Sequence, residues 1–95
     1  MNFEYDPHKS VANLLKHGID FEEAKELWNN RTVSIPSNAD LDEPRWLVIG
    51  RIRGLNWTAI VTRRSETTRL ISVRRSRKNE SQFYEEKCKD HNEGT

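Results

Sequence analysis

Arginine is the residue type whose placement in this chain points most directly to chemistry. Nine of the ten arginines fall between Arg45 and Lys78, where a single acid, Glu66, stands against them. A guanidinium grips a phosphate with two hydrogen bonds at once. One acid leaves little pairing within the block, so the block suits a polyanion; a solvated strand surface is the plainer alternative. Arg64 and Arg74 stand out by spacing. If Ala59 and Val61 share a core layer with Ile71 and Val73, both arginines emerge on the opposite, open face. Each sits at a strand end, where a cleft with the last helix would form. His17 brings an imidazole, whose ordinary pKa near neutrality suits proton transfer. It equally suits capping the carbonyls that end a first helix. Glu80, early in the last helix, suits either a base or a structural partner of Arg74. Tyr84, one turn later, suits stacking on or bonding to a nucleic acid, or core packing.

The elements that must position these residues come from a short chain. Ninety-five residues predict one domain, 1–95, with a single thin core. Hydrophobic residues are 34% and charged residues 33%, with a mean hydropathy of -0.94. That is polar for a folded domain, but periodic apolar segments argue against wholesale disorder. The net charge of +1 conceals three blocks: −5 over Met1 to Pro44, +9 over Arg45 to Lys78 and −3 from Asn79 onward. The longest apolar run, Trp46 to Ile49, excludes a transmembrane helix. The first residues show no secretory pattern. The lone Cys88 excludes an internal disulfide and a cysteine-cluster zinc site. His8, His17 and His91 have no acids at ligand spacing, so no metal site and no cofactor are expected. These features predict a cytoplasmic protein with no membrane contact.

Phe3 to Tyr5 alternates as a short strand. Asp6-Pro7 starts a helix, Val11, Leu14 and Leu15 form its apolar stripe, and Gly18 ends it. Asp20 with Glu23 reads as a variant capping box for a second helix with Phe21, Ala24, Leu27 and Trp28 inward. Strands follow over Thr32–Ile35, Trp46–Arg53, Trp57–Arg64 and Arg69–Arg75, with an acidic loop from Pro36 to Pro44 and a turn at Gly54-Leu55-Asn56. Asn79, with Gln82, caps a last helix that turns Phe83, Tyr84 and Cys88 inward; the tail 91–95 frays. The order predicts an α+β fold, a mainly antiparallel small sheet with helices packed on one face. The three tryptophans read as core or partner anchors.

Two stretches carry a family pattern. Phe3-x-Tyr5-Asp6-x-x-Lys9 precedes Asn13-x-x-Lys16-His17-Gly18-Ile19-x-Phe21-x-x-Ala24, and Arg64, Arg69-x-Ile71-Ser72-x-Arg74, Glu80 and Tyr84 follow. Over about residues 3 to 84 the chain resembles the BrnT family of toxins. It departs from the pattern at Tyr5, where Trp is expected, at Ser76, where Ala is usual, and at Ser81, where a basic residue commonly stands. The resemblance implies a RelE-like fold, endoribonuclease activity and inhibition of translation. It implies neutralisation by a BrnA-like ribbon–helix–helix antitoxin, as a 2:2 heterotetramer that reaches an operator DNA only through the antitoxin. Metal-independent RNA cleavage needs an oriented 2′-hydroxyl, two proton transfers and stabilisation of a phosphorane. The expected catalytic set is Arg64 and Arg74 as clamps, with His17, Glu80 and Tyr84. Arg63, Arg69, Arg75, Arg77 and Lys9 are expected to bind RNA. A nucleic-acid-binding or co-repressor module without catalysis, and a protein-interaction domain, are the competing readings.

Overall fold

Local capping signals set the first half of the chain. In the computed structural model, which describes residues 2–37 and 43–93 (90–93 as helix backbone only), β1 (Asn2–Glu4) leads into α1 (Pro7–His17). Asp6 caps α1 by accepting from the His8 N–H at 2.8 Å, Pro7 takes the first turn, and Gly18 closes it at φ 80, a left-handed value that favours glycine. Asp20 accepts from the Glu23 N–H at 2.8 Å and starts α2 (Phe21–Ala24), which continues as a 3-10 turn over Lys25–Asn29. Four further strands follow: β2 (Thr32–Ser37), β3 (Arg45–Ile52), β4 (Leu55–Arg64) and β5 (Thr67–Arg75), then α3 (Lys78–Glu93). The β3–β4 hairpin turns on Arg53 and Gly54, both at positive φ, as a two-residue connection matching strand twist requires. The middle of the acidic loop expected from Pro36 to Pro44, and the end of the tail expected to fray, lie outside the described residues.

The sheet order is β1-β5-β4-β3-β2. Its consecutive strands β2 to β5 pair antiparallel, and β1 joins β5 in parallel, so the α+β class holds with a mixed sheet. Pro36 falls inside β2, which it tolerates because β2 is an edge. Ile19, Phe21, Ala24 and Leu27 pack with Val48, Trp57, Ala59, Val61, Leu70 and Val73 on one face of the sheet. Trp28 and Trp46 are partly buried against this core. The helices do not all share that face. Glu80 of α3 bonds Thr58, whose side chain alternates with that of Ala59, so α3 covers the opposite face.

Two core expectations fail, each for a physical reason. The stripe Val11, Leu14 and Leu15 faces solvent, with Val11 61% and Leu15 83% exposed, while α1 buries Ser10 and Asn13. These polar side chains satisfy backbone groups. Ser10 Oγ accepts from the Phe21 N–H at 2.9 Å. Asn13 Nδ2 donates to the Ile19 and Val73 carbonyls, each at 2.8 Å, and its Oδ1 accepts from the Val73 N–H at 3.1 Å. Strand β1 pairs β5 only over Thr67 to Arg69, so the Asn13 amide serves as the missing neighbour at Val73. Asn13→Leu leaves three buried groups unpaired and is expected to cost about 3 kcal/mol or more, read by urea unfolding; a loss below about 1 kcal/mol would contradict this role. The second failure is Ile71. A bulge between Ile60 and Val61 shifts the β4–β5 register, so Leu70, not Ile71, joins Val73 in the core.

Candidate functional site

The face of the sheet opposite the main core gathers Arg64, Arg69 and Arg74. Thr58, Thr62 and Arg64 of β4 point to it, and their direct partners Arg74, Arg69 and Thr67 of β5 point the same way. Arg64 and Arg74 therefore share a face, as their spacing predicts, but not a place. Thr58 lies opposite Arg74 and six residues before Arg64 on one strand, which separates the two arginines by roughly 20 Å. Helix α3 reaches only the Arg74 end.

At that end Arg74 and Glu80 form a two-pronged ion pair, Nη1 to Oε1 at 2.8 Å and Nη2 to Oε2 at 2.9 Å. Glu80 is 5% exposed. Its Oε1 also accepts from the Arg77 backbone N–H at 2.8 Å and the Thr58 hydroxyl at 3.0 Å, and Ser76 Oγ lies 2.8 Å from Thr58 Oγ1. The Arg77 bond is half of a capping box, so Glu80, not Asn79 with Gln82, starts α3. Arg74, with the Arg77 amide and the Thr58 hydroxyl, holds the Glu80 carboxyl down at about 2 against the opposing effect of burial. A group that acidic is a poor proton acceptor near neutrality. The geometry places Glu80 as the partner of Arg74, with both of its carboxylate oxygens engaged.

Arg74 keeps donors in reserve. A guanidinium carries five N–H groups. Its end-on edge holds Glu80, and Nη1 also reaches the Arg75 carbonyl at 3.3 Å. The side-on edge, Nε–H with the second Nη2–H, has no partner among the described residues and matches two oxygens of a phosphate. Because Glu80 offsets its charge, Arg74 offers oriented donors more than net charge.

Net charge comes from further along the face. An opening of about 190 Å³ lies between α1 and β5, lined by Lys9, Lys16, His17 and Ser72. Ser72 is two residues from Arg74 on the same strand. Lys9 and Ile71 also line a larger opening of about 320 Å³ with Glu43, Arg45, Thr62, Arg64 and Arg69. Arg64 pairs with Glu43 through both Nε and Nη2, and Arg69 has Glu4 at 3.8 Å. The two openings share Lys9 and Ile71 and make one cationic track from Ser72 toward Arg64.

Other expected site residues lie elsewhere. Arg63 is on the opposite face, 4.8 Å over the Trp46 ring and bonded to Ser34 at 3.0 Å. Arg75 is there too, 5.6 Å over the Trp57 ring. The pleat alternates them with Arg64 and Arg74 and so places them off the face that carries those two. Tyr84 turns inward from α3, with its hydroxyl donated to the Arg31 carbonyl at 3.0 Å and Arg51 on its ring. Burial pushes its phenol pKa up, and it packs rather than faces the track. Arg77 contributes its backbone N–H to Glu80, and its side chain is exposed. Thr58, Thr62 and Arg45 join the site without having been singled out from sequence, and Lys16, Ser72 and Ser76, named there only with the family pattern, join it too. For Thr58 and Thr62 a signal existed, the two-residue alternation that ends at Arg64.

Among the described residues no cluster of His, Cys, Asp and Glu is arranged to hold a metal ion, and no helix is long and apolar enough to cross a membrane. Residues 5–80 match the family described as "Ribonuclease toxin, BrnT, of type II toxin-antitoxin system". No curated protein matches the sequence.

Proposed function

The chain belongs to the BrnT family of ribonuclease toxins of type II toxin–antitoxin systems, and on that premise we propose that it is a metal-independent endoribonuclease of the cytoplasm that inhibits translation by cutting RNA. The substrate supplies its own nucleophile, the 2′-hydroxyl beside the scissile phosphate. The protein orients it and meets the charge of the phosphorane. Arg74 presents its side-on edge to that phosphate. His17, beside Ser72 in the neighbouring opening, moves a proton. Lys9, Lys16, Arg64 and Arg69 hold phosphates further along the strand. Glu80 is a positioning residue for Arg74. The observation that carries this reading is the Arg74 guanidinium, locked by a buried carboxylate with a phosphate-matching edge unengaged.

The antitoxin is a ribbon–helix–helix protein of the BrnA type, in a 2:2 assembly. An acidic segment of it would cover Lys9, Arg45, Arg64 and Arg69 and so block RNA.

The purified chain, incubated with RNA in EDTA, is expected to leave fragments ending in 2′,3′-cyclic phosphate, slowed about 10²-fold or more by His17→Ala. Folded protein that binds RNA with a steep salt dependence yet leaves it intact would replace the enzyme with a binding module. Protein that does neither would leave only the protein-interaction reading.

A further inference from the structure

Thr62 is 4% exposed, and its Oγ1 is the one buried side-chain polar atom with no hydrogen-bond partner among the described residues. A buried hydroxyl without a partner is destabilising, and such groups call for a specific explanation. Thr62 lines the larger opening. In the sheet, Thr62 is the direct partner of Arg45 on β3 and of Arg69 on β5. The three side chains form one row across three strands. Arg64, two residues on, stands on the same face, and Lys9 closes the side from α1. Four cations thus line the pocket around a hydroxyl with no partner among the described residues, an excess of positive charge that favours an anion. The acid lining the opening is Glu43, whose two oxygens take the Arg64 fork, while Glu4 lies 3.8 Å from Arg69. Arg64 holds the Glu43 carboxyl below the usual carboxylate range. Glu43 leaves the Thr62 hydroxyl without a bond, as an imperfect stand-in would.

We propose that this pocket is a phosphate site, built around Thr62, Arg45, Arg64, Arg69 and Lys9, which takes a phosphate of the RNA strand away from the cleavage centre and which Glu43 occupies until RNA displaces it. The inference rests on the ribonuclease reading and extends it: a tetrahedral phosphate has oxygens enough for the arginines and for Thr62 together, where the Glu43 carboxylate hydrogen-bonds Arg64 and reaches Arg45 and Arg69 through charge alone. The phosphate is either an internal phosphodiester or a 5′-terminal monoester.

The test is equilibrium binding of a non-cleavable 2′-O-methyl RNA hexamer, with and without a 5′-phosphate, to the parent and to Glu43→Gln, Thr62→Val and Glu22→Gln. Removing the competing carboxylate is expected to lower the hexamer Kd about tenfold in Glu43→Gln. The same charge change at Glu22 on α2 should shift it less than about twofold. Adding Thr62→Val to Glu43→Gln should weaken binding about three- to tenfold, while Thr62→Val alone melts no lower than the parent because it breaks no bond. A gain seen only with the 5′-phosphate assigns the terminal group; an equal gain without it assigns an internal phosphate. Equal effects at Glu43 and Glu22, no cost from Thr62→Val, or a marked loss of stability in Thr62→Val each overturn the proposal. If the parent cleaves RNA and Glu43→Gln leaves the Kd unchanged, this site fails and the ribonuclease reading stands. If neither protein binds or cleaves RNA, both fail.

Discussion

Arg74→Lys is expected to slow RNA cleavage by about 10²–10³-fold while weakening RNA binding only severalfold. Lysine keeps a positive charge beside Glu80, so the buried carboxylate retains a partner. It loses the planar fork, which serves two ligands at once: Glu80 on the end-on edge and a phosphate on the side-on edge. An ammonium is a point charge and offers no second edge of fixed direction. In the proposed mechanism the donors lost are those aimed at charge that grows in the transition state, so the defect is expected on kcat more than on KM. Single-turnover cleavage at saturating protein, beside hexamer binding and a melting curve, checks this. Cleavage within about tenfold of the parent, from a folded variant, would remove Arg74 from the centre of the mechanism.

Glu80→Gln is expected to destabilise the fold by about 3 kcal/mol at pH 7. The folded-state pKa of about 2 lies below the ordinary 4.5. For a carboxylate depressed in this way, the stabilisation is fully present above the unfolded value and is lost as pH falls from about 5 toward 2. The gap between parent and Glu80→Gln should therefore be full at pH 7 and shrink as the parent loses stability below pH 4. Urea unfolding at pH 7 and pH 3 measures both ends. A variant as stable as the parent at pH 7, or a gap that does not shrink in acid, would show that the ion pair contributes little. Activity separates positioning from proton transfer. As a positioning residue, Glu80 sets kcat through Arg74, and its loss leaves the shape of the pH–rate profile near neutrality unchanged. Were it the general base, the acid limb of that profile would go with it.

Much of the fold was legible along the chain because its signals are local. Asp6-Pro7 with Gly18, and Asp20 with Glu23, satisfy helix-end groups within a few residues of themselves, so their pattern is written in sequence order. The same holds for strand alternation, which put Arg64 and Arg74 on one face. The α1 stripe misled because periodicity reports an amphipathic helix and not which side the sheet requires. Here the inner side is chosen by the backbone groups of Val73, Ile19 and Phe21, which need Asn13 and Ser10.

The amino-acid order by itself determined the charge segregation, the helix caps, the α+β class and the family pattern, because each depends on residue type and near-neighbour spacing. Tertiary structure alone decided how these parts meet. The β4–β5 register set Arg64 and Arg74 at opposite ends of one hairpin, and the bulge exchanged Ile71 for Leu70. The crossing of α3 over the open face brought Arg74, Thr58 and the Arg77 amide to Glu80. These donors come from two strands and a helix start. Their combined effect lowers the Glu80 carboxyl pKa, and no spacing of residues along the chain encodes that meeting of groups.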